Sequence, residues 1–380
     1  MIQQSYFNER LFKTQESLLE TINTYHVLQN CSILEMDLKS MDIEWSSVFL
    51  RNVIFLGCEL AESDQAIIRS KGGLIIPPNE GLPYNPYRRE LYTCRELLDG
   101  YNELDDQSLD LKIYKHFSVS RYNPHIIEAL SQRIHDHAID DSLRELIGYD
   151  DTGMTGLKCV GFMGGHGKLR TDPFYRKAAH TARLLGKEGY FIISGGGPGI
   201  MESANLGAYF ANYEAEDLEK AFKIMEVAPH YTDAGFIQSA LDVFEYYPEG
   251  AESLAIPTWF YGHEPSNVFA SHIAKYFSNS IREDTLLALC HHGVVFAPGS
   301  AGTTQEIFQD AAQNHYATFG YYSPMVFLGK ERYEIETSLF PVLKQLAYNE
   351  PYYKFLYLSD EPEEIVEFIL NNPPEQKVEE

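Results

Sequence analysis

The chain has 380 residues, 44% of them apolar and 22% charged, which is enough for two ordinary globular cores. Its formal net charge of −25 excludes a protein that coats DNA or RNA, because neutralising a phosphate backbone needs clustered Lys and Arg. A small phosphorylated ligand held by backbone N–H groups stays compatible with that acidity.

No run approaches the roughly 18 apolar residues of a membrane span, so no membrane partner is expected. The start, "MIQQSYFNERLFK", lacks the basic and then apolar pattern of a signal peptide. The five cysteines are scattered without a CxxC pair, which suggests neither a zinc ribbon nor a disulfide framework. The expected compartment is the cytoplasm.

Residues 1–150 read as an N-terminal mixed α/β extension. A helix is expected over Glu9–Leu28, followed by the apolar runs "VFLRNVIFLGCEL" and "GGLIIPP" and the turn-rich "PPNEGLPYNPYRRELY". A long helix follows in "PHIIEALSQRIHDHAIDDSLRELIGY", where His135, Asp136 and His137 read as a solvated face. The linker "DDTGMTG" at 150–156 marks a boundary.

From Leu157 the pattern changes to apolar runs alternating with helices. Strands are expected in "KCVGFM" (158–163), "YFIIS" (190–194), "SLAIP" (253–257), "GVVFA" (293–297) and "PMVFLG" (324–329). Most intervals are about 30 to 40 residues, the length of a βαβ unit. The longer second interval places an inserted helix pair, or an extra short strand, within 213–252. The fold class expected is α/β, a Rossmann-like parallel sheet covered by helices on both faces. The Rossmann-like part spans 151–350, and 351–380 forms a C-terminal helix and an acidic tail whose end, "PPEQKVEE", reads as frayed.

In such sheets ligands bind beyond the strand C-termini. Glycines collect at that edge: Gly164 and Gly165 in "GGHGKLR", then Gly195, Gly196, Gly197 and Gly199 in "GGGPGIMESAN". The third junction, "PGSAGTTQEIF", carries Gly299, Ser300, Gly302, Thr303 and Thr304. Glycine lets backbone approach a ligand closely, and a helix N-terminus offers unpaired N–H groups, so phosphate is the natural guest. "GGHGKLR" lacks Walker A spacing, and "SGGG" stands where a dinucleotide fold places Asp or Glu for the ribose. A nucleoside monophosphate fits better than NAD or ATP, and no cofactor or metal is expected.

Thr303 and Glu306 form a capping box, S/T-x-x-E. The same carboxylate would also face a ligand bound at that helix end, where it can stabilise a sugar cation and direct water. Both roles stay open, and a switch from cap to catalyst on nucleotide binding reconciles them. Arg282, on a helix starting near Ser280, either orients Glu306, pairs with phosphate, or is a surface residue beside Glu283 and Asp284. His166 and Lys168 are ligand contacts or turn residues. Glu202 reads as a first-turn complement to the helix dipole, with contact to ribose as the alternative, and His291 and His292 read as helix C-terminal residues. Aromatics in "FGYY" and "PTWFYGHE" serve either as core or as a base-stacking wall.

At these residues the chain resembles the LONELY GUY family of phosphoribohydrolases. "SGGGPGIMESANLGA" is similar to its GGGxxGxMxxxA loop and "PGSAGTTQEIF" to its PGGxGTxxE motif, over residues 157–345. Relatives with an N-terminal extension are nucleotide 5′-monophosphate nucleosidases. The resemblance implies a Rossmann-like homo-oligomer, dimer or tetramer, that hydrolyses a nucleoside 5′-monophosphate to free base and ribose 5-phosphate without a cofactor. It implies Glu306 and Arg282 as catalytic residues and Gly299, Gly302, Thr303 and Thr304 as the phosphate-binding segment. Ser300 replaces the motif's second glycine, and Glu283 follows the arginine where the family usually has lysine. The alternative is a non-catalytic nucleotide-binding or sensing protein.

Overall fold

The structure, a computed structural model, describes residues 10–148 and 156–377. The linker expected at 150–156 therefore lies, except for Gly156, outside the described residues. The chain divides into two compact units, one drawn from Met1–Arg89 and Ile126–Ala138, the other from Glu90–His125 and Ile139–Glu380. The division thus falls elsewhere than at residue 150.

The first unit is a four-stranded parallel sheet in the order β1-β2-β3-β4. Its elements are β1 (Arg10–Phe12), α1 (Gln15–Tyr25), β2 (Val27–Leu34), β3 (Phe49–Leu56), α2 (Glu62–Ser70) and β4 (Leu74–Ile76). The expected helix through Leu28 stops three residues short. His26 takes a left-handed conformation at φ 51°, closing α1, and "VLQNCSIL" goes into β2. Phe12, Ile33, Trp45 and Phe55 are buried in the core of this unit.

His135 and Asp136 correct the solvated-face reading. Both are buried, with Nδ1 and Oδ1 3.2 Å apart, and Tyr84 packs edge-on against the imidazole. Ser131 and Gln132, one turn earlier, are buried too, so this stripe of the helix faces inward despite its polar residues.

The second unit holds α3 (Cys94–Leu97), α4 (Leu109–Ser120) and the C-terminal part of α5 (Ile126–Ile147) ahead of a seven-stranded sheet. Along the chain follow β5 (Cys159–Met163), α6 (Pro173–Lys187), β6 (Phe191–Ser194), α7 (Ile200–Tyr209), α8 (Ala215–Met225), α9 (Phe236–Tyr246), β7 (Leu254–Ala255) and β8 (His272–Ile273). Then come α10 (Asn279–Ala288), β9 (Val294–Phe296), α11 (Ala301–Tyr316), β10 (Tyr321–Tyr322), β11 (Met325–Leu328), α12 (Leu339–Leu346), β12 (Leu356–Ser359), α13 (Pro362–Asn371) and β13 (Glu375–Gln376).

The sheet order is β12-β11-β9-β5-β6-β7-β8, parallel throughout, and helices flank it in a Rossmann-like α/β fold. All five expected strands are present, and α8 and α9 form the inserted helix pair. Val160, Phe162, Ile192, Val295 and Val326 are fully buried in its core, as an apolar run needs when both faces of a strand are covered. Strand order reverses between β5 and β9, which opens a crevice at their C-terminal ends.

The chain's end departs from expectation. β12 extends the main sheet beside β11, so 351–380 is more than a helix and a tail. Glu375 and Gln376 pair antiparallel with Tyr322 and Tyr321, and the N–H of Lys377 donates to Gly320 O, so this stretch is not frayed. Among the described residues no helix is long and apolar enough to cross a membrane.

Candidate active site

The three glycine junctions meet at the reversal of strand order. After β5, the Gly165 N–H donates to Pro298 O (3.1 Å), tying the first junction to the third. Gly165 O accepts from the Ile200 N–H (3.2 Å), tying it to the second. The packing leaves no room for side chains: a Cβ at Gly299 would run into Thr303 Oγ1, and one at Gly199, whose φ is +70°, would run into Gly165 O.

The junctions differ in what they leave open. The α11 N-terminus carries no side-chain cap, so the first-turn N–H groups of Ala301, Gly302 and Thr303 lack a capping side chain. A Cβ on Gly302 would meet nothing within 4 Å, so space opens in front of this helix end. In the second junction the Gly196 N–H already donates to Ser194 Oγ (3.0 Å), and Gly195, Gly196, Gly197 and Gly199 are buried. A crevice of about 520 Å³ runs between the first and third junctions. Lys168 and Arg332 supply its positive charge. Lys168 Nζ lies 3.1 Å from Asp172, and Arg332 donates to Gly299 O at 2.6 Å and sits 3.2 Å from Glu336.

Helix α11 begins at Ala301, three residues before the capping box would start it, and this corrects the cap reading. Thr303 is thereby a first-turn residue and Glu306 lies in the second turn, out of reach of a capping N–H. Instead Glu306 Oε1 lies 3.5 Å from Arg282 Nη1, both side chains being nearly buried. The switch from cap to catalyst therefore loses its starting state.

Arg282 sits near the start of α10, whose first residue is Asn279, as expected for a helix starting near Ser280. Its guanidinium spans three junctions: Nε donates to Ile256 O (2.7 Å) beyond β7, and Nη2 to Gly195 O (3.1 Å) beyond β6. Nη1 faces Glu306 beyond β9. A planar fork with several donors suits such bridging. Burial pushes the Glu306 carboxyl up to about 7; Arg282 pulls it down and Glu283 adds to the rise. Glu283 is itself buried, accepting from Asn279 Nδ2 (2.6 Å) and from Gln305 Nε2, and Asn279 Nδ2 also reaches Tyr261 Oη (3.0 Å).

Glu202 lies in the first turn of α7, as expected. It is buried in a two-point ion pair with Arg170 (2.6 and 3.0 Å) and accepts from Tyr175 Oη (2.8 Å). Arg170 also donates to Ser239 Oγ on α9, so the pair locks the first junction to the inserted helices. His291 and His292 lie beyond the end of α10. Burial depresses His291 to about 4, leaving it neutral against Tyr321 and unsuited to a helix dipole. Among the described residues no cluster of His, Cys, Asp or Glu could hold a metal ion. Trp259 of "PTWFYGHE" is core, whereas Tyr261 is exposed beside Asn279.

Sequence reasoning passed over Glu264, Arg332 and Asp110. None belongs to one of the three glycine junctions. Asp110, fully buried on α4, accepts from Trp259 Nε1 (2.7 Å), Ser266 Oγ (2.8 Å) and Lys275 Nζ (2.8 Å). Burial alone would raise its carboxyl, but Lys275 and His263 together with these donors hold it below the usual range.

No protein-family model matches the chain, and no curated protein matches it. Solved structures similar to it include the molybdenum cofactor carrier protein of Chlamydomonas reinhardtii, at 14% identity over 57% of this chain and 97% of that one, TM-score 0.36. Another is the molybdenum cofactor binding protein of Rippkaea orientalis, at 14% identity over 57% and 96% of the two chains, TM-score 0.34. A structural-genomics target, TM1055, is 19% identical over 57% and 99%, TM-score 0.35. Likenesses this distant carry nothing about ligand or activity.

Proposed function

We propose that this protein hydrolyses the N-glycosidic bond of a nucleoside 5′-monophosphate, releasing free base and ribose 5-phosphate. The observation that carries the reading is the buried Arg282–Glu306 pair at a sheet edge whose neighbouring helix end is uncapped. The phosphate would take the N–H groups of Ala301–Thr303, with Lys168 and Arg332 close by in the crevice. Glu306, one turn further on, would then face the anomeric carbon.

As the C1′–N bond breaks, its electron pair leaves with the base, which takes up a proton from solvent, and positive charge grows on C1′ and the ring oxygen. The Glu306 carboxylate stabilises that charge and accepts a proton from the water whose oxygen bonds to C1′. Arg282 favours the ionised form against the effect of burial and fixes the carboxylate in place. Its position beside Glu306 weighs against a non-catalytic nucleotide sensor, which has no need of a buried, pre-oriented carboxylate.

The test is incubation with AMP, GMP, CMP, UMP and an N6-modified AMP, with products resolved chromatographically beside Glu306→Gln. Base and ribose 5-phosphate from the parent alone support the reading. Nucleotides that bind and stay intact overturn it in favour of the sensor.

A further inference from the structure

The second glycine junction is an odd phosphate site. The N–H groups of Gly196 and Ile200 are already engaged, and a carboxylate stands over it: a Cβ placed on Gly197 would meet Glu264 Oε2 at 2.5 Å. Glu264 Oε1 lies 3.9 Å from His166 Nδ1 of the first junction, and its side chain is 41% exposed, so it is open to a ligand. An anion beside this carboxylate would be repelled, whereas hydroxyl donors would be held.

The placement of Glu264 is built in. The segment carrying it is fastened on both sides by one buried group, since Asp110 accepts from Trp259 before Glu264 and from Ser266 after it. In dinucleotide-binding folds an acidic residue near the end of the second strand accepts from the ribose hydroxyls. Here β6 ends in Ser194 and glycines, and the carboxylate above that end comes from the connection between β7 and β8.

We infer that Glu264 recognises the ribose hydroxyls of the ligand, which makes the protein selective for ribonucleotides over 2′-deoxyribonucleotides. The inference rests on the nucleotide reading above and gives the ligand a direction: phosphate toward the α11 N-terminus, sugar hydroxyls toward Gly197. Glu264 acts on specificity and takes no part in bond breaking.

The experiment measures equilibrium binding of AMP, dAMP, ribose 5-phosphate and 2-deoxyribose 5-phosphate to the full chain and to Glu264→Gln and Glu264→Ala, with base release followed in parallel. The expected result is binding of the ribo forms about tenfold or more tighter than the deoxy forms, as suits hydroxyl donation to a carboxylate. Glu264→Ala should erase that ratio by weakening the ribo forms alone, with Glu264→Gln intermediate. An unchanged ratio in both variants, or equal weakening of ribo and deoxy forms, overturns the inference while leaving the nucleosidase reading intact. Selective binding without base release overturns the nucleosidase reading and keeps the inference. If no compound binds the parent, both fall.

Discussion

Arg282 Nη1 faces Glu306 Oε1 at 3.5 Å inside the protein, and the same guanidinium grips the carbonyl oxygens of Ile256 and Gly195. The arginine is thus held by backbone whether or not the glutamate is charged. Glu306→Gln should keep the fold and lower the turnover number by about a hundredfold or more with little change in KM, because the lost interaction matters most once charge develops. Steady-state release of base from AMP checks this; a variant as active as the parent would remove Glu306 from the mechanism.

The carboxyl of Glu306 is pushed up to about 7, and the ionised form is the one that accepts the proton of water. Turnover should therefore rise with pH through about 7. Glu283 contributes to the upward shift, so Glu283→Gln should move that limb to lower pH. A pH profile of kcat that is the same in both proteins would show that Glu283 does not tune the site.

Asp310 is buried on α11, and burial raises it to about 8 despite the amide of Asn314 (3.2 Å). The native state keeps this proton at pH values where the unfolded chain, with an ordinary value of 3.8, has released it. The resulting stabilisation is complete below about 4 and is lost as pH rises through about 8. Asp310→Asn should flatten the dependence, with a difference from the parent on the order of a few kcal/mol across that range. Urea denaturation at pH 5, 7 and 9 reads it directly, and parallel curves for the two proteins would refute the assignment.

Two glycines of the third junction should respond in opposite ways to alanine. Gly299→Ala forces Cβ against Thr303 Oγ1 and toward the Gly165 N–H, so it should destabilise the protein by about 1–3 kcal/mol. Gly302→Ala meets open space within a helical turn and should leave the melting temperature unchanged or higher, while weakening AMP binding by crowding the phosphate. Calorimetric melting beside AMP titration separates the two. A Gly302→Ala protein that binds AMP normally would move the phosphate away from the α11 N-terminus.

The parts of this architecture visible in the sequence are those where local pattern and tertiary role coincide. "CVGFM" and "VVF" are apolar because both faces of a central parallel strand are covered, so the runs announce the sheet. Glu306 and the glycines of its junction were legible because the motif coincides with the turn from β9 into α11. Thr303 misled, since its motif suits a cap but the helix begins at Ala301. β8, two residues long, has no pattern to read, and β12 stands in the segment 351–380, which read as a helix and an acidic tail. Glu264 and Asp110 were invisible for another reason: each depends on a partner far away in sequence, 67 positions separating Glu264 from Gly197 and 149 separating Asp110 from Trp259.

The clasp around Asp110 bears on how this protein can be divided. Residue 110 precedes the first strand of the large sheet, yet its carboxylate is what Lys275, Trp259 and Ser266 share. A chain trimmed to begin near residue 150 would retain every glycine junction together with Arg282 and Glu306, and would leave Lys275 without its carboxylate partner. The sheet and its helices are therefore not a portable module. Grafting them onto another N-terminal partner requires that the partner bring a carboxylate to the same spot, so the segment around α4 and the segment carrying Glu264 must be inherited, exchanged or redesigned together.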